Sequence, residues 1–241
     1  MKSVTMTLER SNFQGFLALV AVPDKTVTRL ALYRSILTNL RGEGVRYVFS
    51  HEMAELARVS AAQFRRDLMS TRASGSASRG YEVAALIDGI GKVLDAPDGE
   101  GAALVGVGNL GQAVLVHFNG RRPKLSIVAA FDWDPNKANR PVHGCLVYPM
   151  GTLPEVVERQ GIRVGIIAVP ARAAQDVADQ LVAAGVRGLL NFAPARLRVP
   201  RGVVVEDIDF AMALERVAFM ARREGVRRGS RAGNGRGRAA A

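Results

Sequence analysis

Apolar and polar positions alternate with two different periods along this chain, and the change between them divides it in two. Over "DKTVTRLALYRSILTNLRGEG" (24–44), Leu30, Tyr33, Ile36, Leu37 and Leu40 fall three and four apart, which predicts an amphipathic helix that Gly42 and Gly44 end. "VRYVFS" (45–50) reads as a short extended piece. Ser50 is expected to cap a second helix, "HEMAELAR", with Met53, Leu56 and Ala57 on one face. After a tight break at Arg58-Val59, Ser60 is placed to cap a third helix, "AAQFRRDLM", with Gln63 at the N3 position of a capping box. Phe64 and Leu68 turn inward there, and Ser60, Ala62, Gln63, Arg65 and Arg66 remain on or near the outer face. A polar loop (70–80) follows, then another amphipathic helix over 81–95 and a turn-rich linker, "APDGEG" (96–101).

Past that linker the pattern becomes short apolar runs separated by helices. "AALVGV", "LSIVAAFD" (125–132), "VGIIAVP" (164–170), "VRGLLNF" (186–192) and "GVVVEDI" (202–208) read as buried strands, with a helix over 173–185 between the third and the fourth. Strands alternating with helices predict an α/β unit with a mainly parallel sheet covered on both faces. The last helix, expected over 209–223, carries Phe210, Leu214, Val217, Ala218 and Ala221 in one stripe and is unusually apolar for a terminal element.

The chemistry concentrates in Gly106-Val107-Gly108-Asn109-Leu110-Gly111, a G-x-G-x-x-G between a strand and a helix. In that setting the first glycine permits a tight turn, the second lets the backbone approach a pyrophosphate, and the third lets helix and strand pack closely. The pyrophosphate would rest on the helix N-terminus, where free N–H groups and the dipole favour negative charge. Asp132 ends the next strand, so its carboxylate would accept from the ribose hydroxyls and repel a 2′-phosphate, which favours NAD(H) over its phosphorylated analogue. A turn role for Asp132 is the alternative, although Asp134 before Pro135 suits a turn better. Because ligands lie at the carboxyl ends of parallel strands, Val169, Pro170, Asn191, Phe192, Ala193 and Pro194 are expected to border the cofactor; Val169 and Phe192 would serve equally as core.

In the first half, two short helices joined by a tight turn, the second basic with small residues early, form a helix-turn-helix pattern suited to double-stranded DNA. Small residues allow close approach to the major-groove floor, and Gln or Arg offers base-edge or phosphate contacts. Charge agrees with that reading only unevenly. Of a net +11, the segment 221–241 supplies seven Arg against one Glu, or +6, leaving 11 − 6 = +5 for the remainder. Rich in Arg, Gly and Ala without an apolar period, residues 224–241 read as a disordered tail, either merely solvated or adding unspecific attraction to phosphate backbones.

Other classes lose ground. One cysteine, Cys145, excludes an internal disulfide and reads as a small buried apolar side chain, and a reducing cytoplasm is the simplest setting. His51, His117 and His143 make no metal-ligand pair; His117 or His143 beside a nicotinamide would suit a dehydrogenase acid/base, but each alone suits a structural place as well. No run approaches the roughly 18 apolar residues that span a membrane. "FQGFLALVAVP" (13–23) has the apolar centre of a signal peptide without a clear cleavage site; residues 1–22 are read as an N-terminal extension, a wrongly chosen upstream start codon being the alternative.

Taken together, "GVGNLGQA" (106–113), "IVAAFDWDP" (127–135), "AVPARAAQDVADQLVAAGVRGLLNFAPARLRVP" (168–200) and "VVVEDIDFAMALE" (203–215) resemble the Rex family of bacterial redox-sensing repressors, as do "RLALY" (29–33) and "VSAAQFRRDL" (59–68). The resemblance, covering about Pro23 to Arg222, implies a winged-helix DNA-binding domain (23–96), a Rossmann NAD(H)-binding domain (97–208) and a homodimer whose C-terminal helix (209–223) is exchanged between subunits. It implies that NADH favours release of operator DNA, and it places His117 and Asp209 at the redox switch. The chain departs from the family in two places. "MSTRASGSASRGY" (69–81) lacks the aromatics of the family's glycine-rich loop, and His117 stands where the family tends to carry tyrosine. An NAD-dependent oxidoreductase, or a dimeric NAD(H)-binding protein with decayed DNA recognition, are the other readings.

Overall fold

The structure, a computed structural model, describes residues 22–71, 73, 75, 76, 78–118 and 124–235, and for 225–235 the backbone alone. It divides into two compact units between Gly99 and Glu100, three residues beyond the 96/97 boundary expected from the linker. The second unit opens where strand pairing opens, at Glu100 opposite Leu125, which leaves residues 97–99 with the first.

The first unit holds α1 (Asp24–Gly42), β1 (Tyr47–Val48), α2 (Ser50–Ala57), α3 (Ala61–Leu68), β2 (Tyr81–Glu82) and α4 (Val83–Leu94). Leu30, Tyr33 and Leu37 of α1 meet Met53, Phe64, Leu68, Val83, Leu86 and Ile90 in one core. Phe64 stands edge-on between Tyr33 and Tyr81, with ring centroids 5.0 and 5.9 Å apart, an arrangement that aromatic quadrupoles favour. β1 and β2 pair antiparallel, and the exchange of backbone hydrogen bonds between Ser76 and Gly80 closes a turn ahead of β2, so a wing follows α3.

Two sequence expectations fail here. Ser50 is the first residue of α2 and not its cap; Phe49 holds that place, its amide donating to Glu52 Oε2 at 2.6 Å. Leu56 lies outward, more than half exposed, while Ala54 takes the inward position, because so short a helix buries only a narrow stripe. The break after α2 is as expected: Arg58 adopts a left-handed φ of 54° and the Val59 amide returns to the Ala54 carbonyl.

The second unit holds β3 (Glu100–Val105), α5 (Asn109–Phe118), β4 (Leu125–Asp132), β5 (Pro141–Val142), β6 (Cys145–Pro149), α6 (Leu153–Arg159), β7 (Val164–Ile167), α7 (Ala171–Ala183), β8 (Gly188–Asn191), β9 (Val204–Asp207) and α8 (Phe210–Gly235). Its sheet order is β5-β6-β4-β3-β7-β8-β9, and every pairing from β6 to β9 is parallel. Numbering the six parallel strands in chain order gives 3-2-1-4-5-6, the doubly wound dinucleotide-binding arrangement. The near-continuous apolar run of β3 follows from burial on both faces. Ala103 and Val105 point into one core with α6 and α7, and Ala102 and Leu104 into the other beneath Val114 and Leu115 of α5.

The final helix runs to Gly235, so residues 224–235, expected as a disordered tail, are helical in backbone. Absence of an apolar period removes a packing stripe, not helix propensity, and Arg and Ala rank among the better helix formers. Residues 1–21 and 236–241 lie outside the described residues.

Candidate functional site

Where the sheet order reverses, between β3 and β7, a cleft of about 320 Å³ opens at the strands' carboxyl ends. Gly106, Gly108, Asp132, Val169 and Pro170 line it together, which joins five of the expected positions. Gly106 has φ +96°, and a Cβ there would meet the Ala168 carbonyl oxygen at 2.5 Å. At Gly111 a Cβ would fall 1.9 Å from the Gly106 carbonyl oxygen, so only glycine lets α5 start this close to the strand. A Cβ on Gly108 would meet nothing within 4 Å, so beside this residue the cleft keeps free space for a ligand's backbone. The first amides of α5, which open at Asn109 and Leu110, have no carbonyl one turn earlier to bond and suit an anion. The residues present therefore fit a dinucleotide.

Asp132 is built into the loop. Its Oδ2 accepts from the Val107 amide at 2.8 Å and from Lys137 Nζ at 3.1 Å, and its Oδ1 from the Asp134 amide at 2.9 Å. Burial opposes the charge, but the Asp134 and Val107 amides and Lys137 together hold the carboxyl below its ordinary range. With three of about four acceptor sites taken, the carboxylate keeps room for one more donor. Asp134 makes the turn, accepting from the Asn136 amide at 2.9 Å. Val107 itself is fully buried.

Five cleft residues escaped the sequence reading: Trp133, 52% exposed, Lys137, Ala168, Arg172 and Ala173. The first two carried a signal, since they follow Asp132 on the same turn; Arg172 comes from the start of α7, close only in space.

The stretch Asn191–Pro194 does not reach this cleft. Asn191 is buried and donates to the Ala195 carbonyl and to Asp207 Oδ1, both at 2.8 Å, while its own oxygen accepts from the Ala193 amide. It ties β8 to β9. Phe192 packs partly into the core, its ring 6.1 Å from that of Phe210. Ala193 and Pro194 line a second recess, about 130 Å³, with Asp207, Asp209 and Met212. These residues follow β8, which lies between β7 and β9, one strand removed from the crevice. Asp209 also caps α8, its Oδ1 accepting from the Met212 amide at 2.9 Å. His117 is exposed on the last turn of α5 and lines neither cavity; its ring meets Phe118 at 5.5 Å. Burial pushes the Cys145 thiol up to about 11, which keeps it protonated, in keeping with the apolar role.

In the first unit, Ser60 Oγ accepts from the Gln63 amide at 3.0 Å, the expected cap. The Gln63 side chain does not return to close the box; it donates to Asp67 Oδ1 at 2.9 Å and accepts from Arg66 Nη1 at 3.3 Å. Ala62, Arg65 and Arg66 are exposed along α3, with Arg65 Nη1 donating to Ser50 Oγ at 3.1 Å.

A helix-turn-helix unit with a wing, followed by a doubly wound unit with a glycine-loop cleft, defines a nucleotide-binding protein of the DNA-binding class. The family model described as "Putative DNA-binding protein N-terminus" matches residues 21–68, and that of a CoA binding domain matches residues 100–195. The redox-sensing transcriptional repressor Rex of Carboxydothermus hydrogenoformans is 39% identical over 84% of this chain and 98% of its own. That of Streptomyces coelicolor is 39% identical over 84% of this chain and 79% of its own. Among solved structures, RSP, a Rex-family repressor, in complex with β-NADH superposes with a TM-score of 0.74 at 28% identity, covering 86% of this chain and 98% of that one. The complex of RSP with β-NAD⁺ and operator DNA gives 0.73 at 28%, covering 88% and 97%. The chain belongs to the Rex family.

Proposed function

We propose that this chain is a cytoplasmic, homodimeric repressor that binds operator DNA through its first unit and releases it when NADH occupies the second. The observation that carries the reading is the presence, in one chain of the Rex family, of a winged helix-turn-helix and a glycine-loop cleft of the 3-2-1-4-5-6 fold. RSP, its solved relative, is held with β-NADH in one complex and with β-NAD⁺ and operator DNA in another.

In this reading residues 23–96 read DNA, with Ser60, Ala62, Arg65 and Arg66 on the contacting face and Gln63 beside it. Residues 97–208 hold the cofactor. Gly106, Val107, Gly108, Asn109, Leu110 and Gly111 cradle the pyrophosphate, Asp132 accepts from the ribose, and Val169 and Pro170 wall the cleft. Asn191, Phe192, Ala193 and Pro194 border the cofactor from the end of the neighbouring strand β8, and His117 and Asp209 belong to the switch. The exchanged helix is supported by α8 itself: Phe210, Leu214 and Val217 are each at least 60% exposed, a stripe that calls for a cover. No helix among the described residues is long and apolar enough to cross a membrane. Release then follows from linkage: NADH shifts DNA affinity only by as much as it binds the two dimer conformations unequally.

The test is DNA binding at fixed salt to the promoter of the chain's own gene and to random-sequence competitor, without cofactor, with NAD⁺ and with NADH. Promoter-selective binding abolished by NADH alone is expected. Weak, unselective binding indifferent to NADH would overturn the reading and bring an oxidoreductase forward.

A further inference from the structure

We infer that Gln63 is a positioning residue rather than a base reader: it carries the α1–α3 ion pair out to Arg66 and fixes the direction in which that guanidinium meets DNA. The inference rests on the DNA-binding reading of α3 and sharpens it.

Asp67 is the inner end of the arrangement. It is buried on α3, and all its acceptor capacity is taken. Oδ2 accepts from Arg29 Nε at 2.6 Å and the Tyr33 hydroxyl at 2.9 Å; Oδ1 accepts from Arg29 Nη2 at 2.7 Å and Gln63 Nε2 at 2.9 Å. Three of these donors come from α1, so the carboxylate locks the orientation of α3 against that helix. Gln63 supplies the fourth. Its amide nitrogen is committed inward, which turns Oε1 outward to accept from Arg66 Nη1.

Positions 63, 66 and 67 stand three and four apart, the spacing that puts side chains on one stripe of a helix. Gln63 is half-buried and Arg66 exposed, so the polar chain runs from the interior to the surface in a single line, Arg29–Asp67–Gln63–Arg66. Swinging Gln63 out to a base edge would take a donor from a buried carboxylate, an unfavourable exchange inside the unit. Arg66 loses nothing by staying: one of its five N–H groups is held by Gln63, and four remain for a phosphate or a guanine edge. Arg65, turned back onto Ser50 at the start of α2, is held by a different partner and lies outside this line.

The experiment is a double-mutant cycle on the full-length protein, with a duplex that the wild type enriches from a random-sequence pool. Gln63→Ala is expected to weaken binding by about tenfold, as loss of one hydrogen bond to an exposed charged group does, and Arg66→Ala by about ten- to a hundredfold. The double variant is expected to match Arg66→Ala within about twofold, because Gln63 has nothing to orient once Arg66 is gone. If Arg66 meets a guanine edge, both single variants relax base preference at the same operator position; if it meets a phosphate, both weaken binding evenly across sequences. Gln63→Met, which keeps the length of the side chain without its polar atoms, guards against a packing artefact and must behave as Gln63→Ala, with thermal melts of the free protein as a check on folding.

Multiplying losses in the double variant would overturn the inference. So would a Gln63 variant that binds as wild type, or one that relaxes a position Arg66→Ala leaves intact. Failure of the wild type to enrich any duplex is a different result: it removes the DNA-binding reading, and the inference with it.

Discussion

The Val107 amide donates to Asp132 Oδ2 across 2.8 Å, so the glycine loop after β3 and the end of β4 are held as one piece. The same carboxylate that would receive a ribose also fixes the curve of the loop that would receive a pyrophosphate. Cofactor recognition and loop geometry thus share one side chain. Asp132→Ala is expected to weaken NADH binding by about tenfold or more, measured by calorimetry. Unchanged affinity would remove Asp132 from the site.

Acid should act through two carboxylates. For Asp132 and Asp67, burial pulls the pKa up, but hydrogen bonds and a neighbouring cation outweigh it, and both lie below the ordinary range. A carboxyl depressed in the folded state stabilises the fold fully above its unfolded pKa. That contribution is lost as pH falls through the folded pKa. Urea midpoints are therefore expected to hold from neutrality to about pH 5 and to drop below it. The drop is expected to be shallower in Asp67→Asn, and an identical slope in that variant would show that Asp67 is not one of the groups.

Breaking the Arg29–Asp67 pair from the buried side is expected to cost about 3 kcal/mol of stability, since Arg29 would lose its partner at the edge of the core. Asp67→Ala read by urea unfolding checks this; a loss under about 1 kcal/mol would class the pair with surface ion pairs.

Gly111→Ala puts a methyl where the Gly106 carbonyl oxygen stands. The start of α5 must move, and NADH affinity is expected to fall by at least an order of magnitude, while DNA binding without cofactor persists. Retained NADH affinity would mean that the loop is not the pyrophosphate site.

Trp133 is the chain's single tryptophan and borders the cleft. Its fluorescence is expected to change on titration with NADH and to saturate with the affinity found by calorimetry. A constant signal under saturating NADH would place the cofactor elsewhere.

Replacing Leu214 with Asp on α8 is expected to turn a dimer into a monomer by light scattering. A dimer that survives the change would put the subunit interface on other residues.

What the sequence disclosed divides along physical lines. The β3-loop-α5 unit was legible because its glycines answer to local geometry: a positive φ at Gly106 and a close approach at Gly111 leave no choice of residue. Likewise Ser60 caps α3 because the cap is set within three residues. The hairpin of β5 and β6, with His143 and Gly144 at positive φ, and α6 were not assigned, being too short for a period to register. The cap that Asp209 gives α8 has a local signal, an Asp just before an apolar helix. Arg172 joins Lys137 only through the parallel packing of β3 between β4 and β7, which no local pattern reports. The inward turn of Gln63 was hidden for the same reason, since Asp67 is held by a helix more than thirty residues away.

The length of α8 has its own consequence. Twenty-six residues of helix extend about 39 Å, whereas residues 100–209, as a compact body, measure roughly 34 Å across. An arm longer than the body that bears it cannot be folded away under that body alone. Among the described residues of α8, only the stretch from Phe210 to Met220, about 16 Å of it, exposes large apolar side chains, so a second body has to shelter the near half of the helix, and the spacing between neighbours is written into that half.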